Sequence, residues 1–427
     1  MEPDNIINQR GFYDSRVELL FDMISKINTR KGVAAILDTV MEACKTIMNA
    51  QAGSLMLVSQ NGEELVISVP IGPMKSEITG QRIPVGSGIS GWVARNREPV
   101  IVNDVSADPR FEGEIRSEGF ITRNLICVPM INNDGRLIGV IQAVNKVNGE
   151  EFSENELPLL MMLANQAAIC IEREYWYRKA MDRERMDEQV KMARVIQTGF
   201  FPDVKPGIEN IDIAGTSIPA TYVGGDYYDY IKLSDNKWGI AIADVTGKGV
   251  PAAMLMSNLR AQMRSLSGQN ECVRDVVNAV NSSLLNETGE DTYITLFYGC
   301  LEDREFTYTN AGHNPPLVYD IKTDSFQELT DGGPLLGFID NPGYKEGRIS
   351  LKPDKVMVLY TDGITEAENI DQDQFGELRL KKIIRNHHSE SADEIMNKII
   401  LEVNQFRGKA AQSDDETLVI LKVGGNE

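Results

Sequence analysis

Apolar residues recur at helical spacing from residue 16 to 49: Val17, Leu20, Phe21, Ile24 and Ile27, then Ile36, Leu37, Val40, Met41, Cys44 and Ile47. The period then changes to two. "SLMLVSQNGEELVISVP" is a pair of alternating runs around Asn61-Gly62, the strongest short-range hairpin signal, and "RNLICVPMINNDGRLIGVIQAVNK" repeats the design around Asp134-Gly135. Between them, "GSGISGWVARNREPVIVNDVSADPRF" reads as a glycine-rich turn, a short helix and a strand. From Leu157 the helical period returns. Helices on either side of an antiparallel sheet predict one domain of about 150 residues.

Leu159 to Phe200 reads as one long helix, with no proline between Pro158 and Pro202. Its charged middle carries apolar residues at Met181, Met186, Val190, Ala193 and Ile196, spaced for a short coiled-coil seam. The alternative is a single solvated helix between domains; an isolated connector has no need of that stripe, so the seam is preferred. From Pro202 onward strand and helix patterns mix. Strands are predicted at "IDIAGTSIP", "GDYYDYIKL", "KWGIAIAD", "TLFYGCLE", "EFTYTNAG", "LVYDIKT", "KVMVLYTDG" and "ETLVILKV". Helices are predicted at Ala252–Ser267, Cys272–Glu287, Glu377–Asn386 and Ala392–Phe406. Many short strands and few helices predict stacked β-sheets flanked by helices, so the whole chain is of the α+β class.

Composition narrows the function by exclusion. Of 427 residues, 42% are hydrophobic and 25% charged, the balance of a folded globular chain. Lys and Arg number 43 against 63 Asp and Glu, a net charge of -20, which argues against nucleic acid or an anionic membrane as a partner. Five scattered cysteines show neither metal spacing nor a disulfide framework, as expected in a reducing compartment. "MEPDNIINQR" does not read as a signal peptide, and the apolar run Leu157–Ile171 is too short to span a bilayer. The expectation is a cytoplasmic protein.

The segment 15–173 resembles a GAF domain, a small sensory module, through its element order and through "PVGSGISGWVARNREPVIVND", "ICVPMI" and "GVIQAVNK". Cyclic-nucleotide-binding members carry Asn-Lys, then Phe, then Asp-Glu. Asn145, Lys146 and Phe152 match, but Glu156 and Leu157 replace the acidic pair. The departure favours a sensor of some other small molecule, or a dimerising module, over a cyclic-nucleotide receptor. Residues 174–200 then form a helical, coiled-coil linker, and 201–424 the third part.

In that third part aspartates stand repeatedly at strand ends: Asp226 in "VGGDYYD", Asp244 in "IADVTGKG", Asp362 in "VLYTDG", and Asp414 and Asp415 in "SDDETLVILKV". A cap or turn role explains any one of them. Four in one domain favour a metal site: converging carboxylates repel strongly without cations, and all-oxygen donors suit a hard ion such as Mg²⁺ or Mn²⁺.

The same region resembles the metal-dependent protein phosphatases of the PPM class, in the bacterial branch that controls sigma factors and sporulation. The resemblance spans about residues 192–423, through "ARVIQTGFFP", "VGGDYYD", "ADVTGKGVPAAML", "TLFYG", "NAGHNPPL", "GGPLLGF", "YTDGITEA" and "SDDETLVIL" in order. It implies that Asp244 bridges two cations, with the Val245 carbonyl and Asp226 serving one and Asp362 and Asp414 the other. Asp414 rather than Asp415 matches, because it stands three residues before Thr417; Asp415 is assigned a supporting role. Gly247 and Gly249 are expected to let the backbone pack closely. Two ions about 4 Å apart lower the pKa of a water between them and neutralise phosphoryl charge, so no protein nucleophile is required.

Members outside the branch carry a histidine, proposed as a general acid, where this chain has Lys248. Lys248 is a candidate proton donor if its pKa is lowered; metal-bound water is the alternative. His313 is a further polar candidate, with a structural turn role as the competing reading. The resemblance implies a sensor-regulated, homodimeric serine/threonine phosphatase acting on a phosphorylated anti-sigma factor antagonist of STAS type. An unidentified small-molecule or protein regulator would act at the GAF domain. A non-catalytic signalling scaffold and a receptor acting through the sensor alone are the rival readings.

Overall fold

A computed structural model describes residues 17–29, 32–73, 75–111, 120–269, 272–287 and 293–424. The chain divides into two compact units, Met1–Glu184 and Arg185–Glu427.

The helical pattern of residues 16–49 becomes two helices, α1 (17–29) and α2 (Val33–Met48). They are followed by β1 (Ala50–Val58), β2 (Glu64–Ile71), α3 (Lys75–Ile78), β3 (Arg82–Pro84), α4 (Gly88–Asn96), β4 (Val100–Val102), β5 (Leu125–Ile131), β6 (Leu137–Lys146) and α5 (Leu157–Thr198). The strands form one sheet in the order β3-β2-β1-β6-β5-β4. Both faces are covered, so the central strands β1, β5 and β6 are buried along most of their length, while β2 keeps the alternation expected from sequence. On β5, Ile126, Val128 and Met130 pack with α2 and the start of α5, while Leu125 and Cys127 pack with α4. The two expected hairpins form, but their loops span residues 59–63 and 132–136 and are wider than two-residue turns. Gly62 and Gly135 take positive φ in them, of 78° and 76°.

The residues that matched the nucleotide-binding pattern brace a loop. Lys146 Nζ meets Glu156 Oε2 at 2.5 Å and lies 5.5 Å above the Phe152 ring, with both charged side chains buried. The substituted Glu156 thus retains an ion pair. Asn145 accepts from the Arg123 N–H at 2.7 Å and donates to the Ile121 carbonyl at 2.7 Å. A separate cavity of about 260 Å³ lies beyond the other face of the sheet, among Met56, Ile67, Ile89, Phe120 and Leu125, with Ser54 and Gln142 as polar wall.

The second unit continues with β7 (Ile211–Ile218), β8 (Tyr227–Ser234), β9 (Lys237–Val245), α6 (Val250–Ser267), α7 (Val273–Glu287), β10 (Ile294–Glu302), β11 (Glu305–Ala311), β12 (Leu317–Asp320), β13 (Ser325–Glu328), β14 (Gly332–Gly333), β15 (Gly347–Ser350), β16 (Lys355–Tyr360), α8 (Asp362–Thr365), α9 (Glu377–His387), α10 (Ala392–Arg407) and β17 (Glu416–Val423). One sheet runs β14-β11-β10-β9-β8, with β15 paired to β11; the other runs β13-β12-β16-β17-β7. Tyr228, Ile240, Ile242 and Phe297 of the first meet Ile213, Met357, Leu359 and Val419 of the second in a shared core. The outer faces are covered by α6 and α7 on one side and by α9 and α10 on the other. The result is a helix-sheet-sheet-helix stack of the α+β class.

Strands β13 to β15 and helix α8 were not legible as separate elements. The predicted strand "LVYDIKT" stops at Asp320, whose carboxylate accepts from the Lys322 and Thr323 amides and turns the chain. All five cysteines are free thiols, four of them buried. Among the described residues no helix is long and apolar enough to cross a membrane.

Candidate metal centre

Strand alternation decides where the aspartates go. On β9, Ile240 and Ile242 face the core between the sheets, so Asp244, two residues on, falls on that same inner side at the strand's end. On β8, Tyr228 and Tyr230 face inward, which places Asp226 inward just ahead of the strand. Tyr227 pairs with Ala243, so the next residues outward, Asp226 and Asp244, are neighbours across the ladder. In the second sheet Val419 and Leu421 point inward, and the same count brings Thr417 and Asp415 to that side. Tyr360 pairs with Leu418, and the chain leaves β16 through Thr361 into Asp362 at the start of α8. Antiparallel pairing thus puts the end of β9, the start of β8, the end of β16 and the start of β17 at one edge of the stack.

Asp415 ties these segments together. Its carboxylate accepts from the backbone N–H groups of Ala220 at 2.8 Å, Gly225 at 2.6 Å and Asp226 at 3.4 Å. A Cβ on Gly224 would collide with that carboxylate, and one on Gly363 with the Asp415 carbonyl. The glycines beside Asp226 and Asp362 are therefore required for close approach. A Cβ on Gly225 would stand 2.7 Å from the Val245 carbonyl oxygen, so that carbonyl faces the Asp226 loop. Gly247 and Gly249 differ from expectation: nothing crowds them, and their requirement is positive φ, 92° and 72°. Thr361 completes the frame, its hydroxyl donating to Asp226 Oδ2 at 2.8 Å and accepting from the Thr417 amide at 3.0 Å.

The electrostatics are lopsided. Burial, and then the charge of Asp244, push the Asp226 carboxyl well above the usual carboxylate range. Burial, followed by the charges of Asp362, Asp414 and Asp415, raises Asp244 to about 7. Burial and the charges of Glu366 and Asp414 raise Asp362. Asp229, three residues after Asp226, shows the opposite solution: Arg264 clasps it with contacts of 2.7 and 2.9 Å, and the Tyr227 hydroxyl adds a third at 2.9 Å.

Lys248 departs from what a proton donor needs. Its Nζ lies 2.8 Å from Asp414 Oδ2 and also reaches the Ser413 carbonyl, and the Asp414 contact raises its pKa rather than lowering it. His313 is buried; burial lowers it to about 4, so it is neutral at pH 7. Its Nδ1 meets the Thr295 hydroxyl at 2.8 Å, on the residue paired with Asp244, and its backbone amide donates to Asn310. That is a turn-bracing role. His387 and His388 lie at the end of α9, away from the carboxylates.

The donor chemistry fits a hard divalent cation: carboxylates and a carbonyl, with no thiolate and no imidazole aimed in. Among the described residues, no group of three His, Cys, Asp or Glu side chains stands ready to hold an ion as placed, and Asp414 is turned to Lys248. Sequence reading missed Thr361, Thr417 and the extent of Asp415's role. The signal available for them was the period-two count continued past the strand ends.

Comparison with known proteins agrees with this architecture. The stage II sporulation protein E (SpoIIE) family profile matches residues 234–424, and the GAF domain profile matches residues 33–171. The solved SiaA-PP2C domain of Pseudomonas aeruginosa superposes with a TM-score of 0.51 at 19% identity, covering 57% of this chain and 99% of that one, which defines the fold of the C-terminal unit as PP2C-like. Phosphoserine phosphatase RsbU of Bacillus subtilis (strain 168) is 31% identical over 246 residues, 56% of this chain and 71% of RsbU. Protein IcfG of Synechocystis sp. (strain ATCC 27184 / PCC 6803 / Kazusa) is 30% identical over 261 residues, 54% of this chain and 41% of IcfG. The chain belongs to the RsbU-like, SpoIIE-type family of PPM phosphatases and carries a GAF domain on the N-terminal side of its phosphatase domain.

Proposed function

We propose that Asp226, Asp244, Asp362 and Asp414, with the Val245 carbonyl, hold two divalent cations, Mn²⁺ or Mg²⁺. The substrate is a phosphorylated anti-sigma factor antagonist of STAS type in a partner-switching pathway. The observation that carries the metal reading is the convergence of Asp226, Asp244, Asp362 and Asp415 at one edge of the stack, with Asp244 raised to about 7 by burial and then by the charges of its neighbours. Bound ions would supply an activated water and neutralise charge on the phosphoryl oxygens. Asp244 suits the bridging role because it stands across the ladder from Asp226 and also feels the charges of Asp362 and Asp414. Thr361 fixes the Asp226 carboxylate, and Lys248 steers Asp414. His313 acts through Thr295, keeping the β9 end in register.

The similarity to phosphoserine phosphatase RsbU supports the substrate class. We further infer regulation by a small molecule or protein at the GAF unit, and a homodimer joined through the α5 seam, on which Met186 and Ile196 are exposed. The working compartment is the cytoplasm. The test is release of phosphate from phosphorylated candidate antagonists, with Mn²⁺ and with chelator. Metal-dependent turnover on one of them supports the reading; turnover unaffected by chelation contradicts it.

A further inference from the structure

The last turn of α5 holds one buried polar side chain, Gln197, on a helix whose neighbouring residues Met192, Val195 and Ile196 are exposed. A buried primary amide is costly unless both its ends are satisfied. Gln197 meets that demand on a single residue: Nε2 donates to the Gly224 carbonyl at 2.7 Å, and Oε1 accepts from the Gly224 N–H at 3.0 Å. The two bonds replace the strand pairing that Gly224 lacks in its loop. On its far side the same loop is pinned by Asp415, through the amides of Gly225 and Asp226. Gly224 lies so close to the Asp415 carboxylate that a Cβ there would strike it. The loop that presents Asp226 is thus clamped between the last turn of α5 and the start of β17.

We propose that Gln197 is a positioning residue for the metal centre: it fixes Gly224, and through two peptide units the Asp226 carboxylate, so that the place of the α5 end sets cation affinity at that carboxylate. The inference rests on the reading of Asp226 as a ligand. Rotation or withdrawal of the α5 end would break both bonds together, because donor and acceptor sit on one planar amide. Adjacent contacts hold the chain just after the helix: Arg260 Nε donates to the Phe200 carbonyl at 2.8 Å, and Phe201 stacks on Tyr228 at 5.3 Å between ring centroids. Those contacts hold the segment independently of Gln197, so metal affinity can be read in a folded variant that lacks the amide.

The experiment is calorimetric Mn²⁺ titration of the full chain, with thermal melts, for the parent, Gln197→Ala, Gln197→Glu and Asp226→Asn. Removing a partner that orients a ligand weakens metal binding by about 10–100-fold. Gln197→Ala is expected to raise the Mn²⁺ dissociation constant of one site about tenfold and to lower the melting temperature of the metal-free protein by a few degrees, because the Gly224 N–H and carbonyl lose their partners, with the substrate KM at saturating Mn²⁺ unaltered. Gln197→Glu retains the acceptor, turns a carboxylate oxygen towards the Gly224 carbonyl, and should weaken the same site; it decides the matter if the alanine variant does not fold. Parent-like Mn²⁺ affinity in the folded Gln197 variants, alongside a weakened Asp226→Asn, overturns the positioning role alone. Parent-like affinity in Asp226→Asn overturns the ligand reading beneath it as well.

Discussion

Two buried charged clusters, one in each unit, solve the same problem in opposite ways. In the GAF unit Lys146 and Glu156 neutralise each other, and Asn124 and Asn145 satisfy the backbone around them. In the phosphatase unit burial and then acidic neighbours raise the carboxyls of Asp226, Asp244 and Asp362, while Lys248, whose charge reaches Asp362, is paired with Asp414. Asp229 makes the contrast within a few residues, since Arg264 answers its charge completely. Balanced charge braces a scaffold. Charge left in excess is the feature on which the proposed cation site rests.

The largest effect that would sharpen this contrast is loss of catalysis at the excess charge. Asp244→Asn should lower turnover of a phosphoserine peptide with Mn²⁺ about a thousandfold or more, with far-UV circular dichroism unchanged. The same assay on Lys146→Met should show full activity. That variant should instead lose about 3–5 kcal/mol of GAF-unit stability in urea, because it leaves a buried carboxylate alone. Lys146→Met with Glu156→Leu should recover most of the loss. A stability cost at Lys146 no larger than that of an exposed pair would break the distinction.

Asp415→Ala comes next. Its carboxylate holds three backbone amides of the Asp226 loop, and bonds to a charged acceptor are worth about 1.5–3 kcal/mol each. The two short bonds alone predict a destabilisation of about 3–6 kcal/mol in denaturant, with most activity lost, so the supporting role expected from sequence is larger than a minor one.

A pH effect follows from the raised carboxyls. Asp244 is raised from 3.8 to about 7 in the folded protein, so the folded state holds this proton more tightly than the unfolded chain does. The resulting stability is present below about pH 4 and is lost as pH rises to about 7. Chelator-treated protein should melt several degrees lower at pH 8 than at pH 5.5 from this source. Mn²⁺ should restore the loss at pH 8, and Asp244→Asn should flatten the profile. The smallest effect is Lys248→Met, expected to slow serine and aryl phosphates alike, about tenfold, because it frees Asp414 rather than removing a proton donor. A loss confined to the serine phosphate would restore Lys248 as the acid.

Much of this was readable from the chain. Period-two runs located both hairpins and the strands that hold Asp244 or begin just after Asp226 and Asp415, because the phosphatase strands have an apolar face towards the shared core. Short pieces such as β14 and α8 were not readable, since two to four residues hold no period. Nor was the difference between Asp226 and Asp229: both are inside "VGGDYYD", and only the packing of α6 brings Arg264 to the second. Gln197 looked like one polar residue among many on a charged helix, and its partner is a backbone with no sequence signature.

The most direct test of the central claim is the number of Mn²⁺ ions bound per chain in the parent and in Asp244→Asn, counted by calorimetry and by electron paramagnetic resonance. Two ions in the parent, with both sites lost or severely weakened by the single substitution, is the expected result, since one carboxylate serves both. Unchanged stoichiometry and affinity in Asp244→Asn would contradict it.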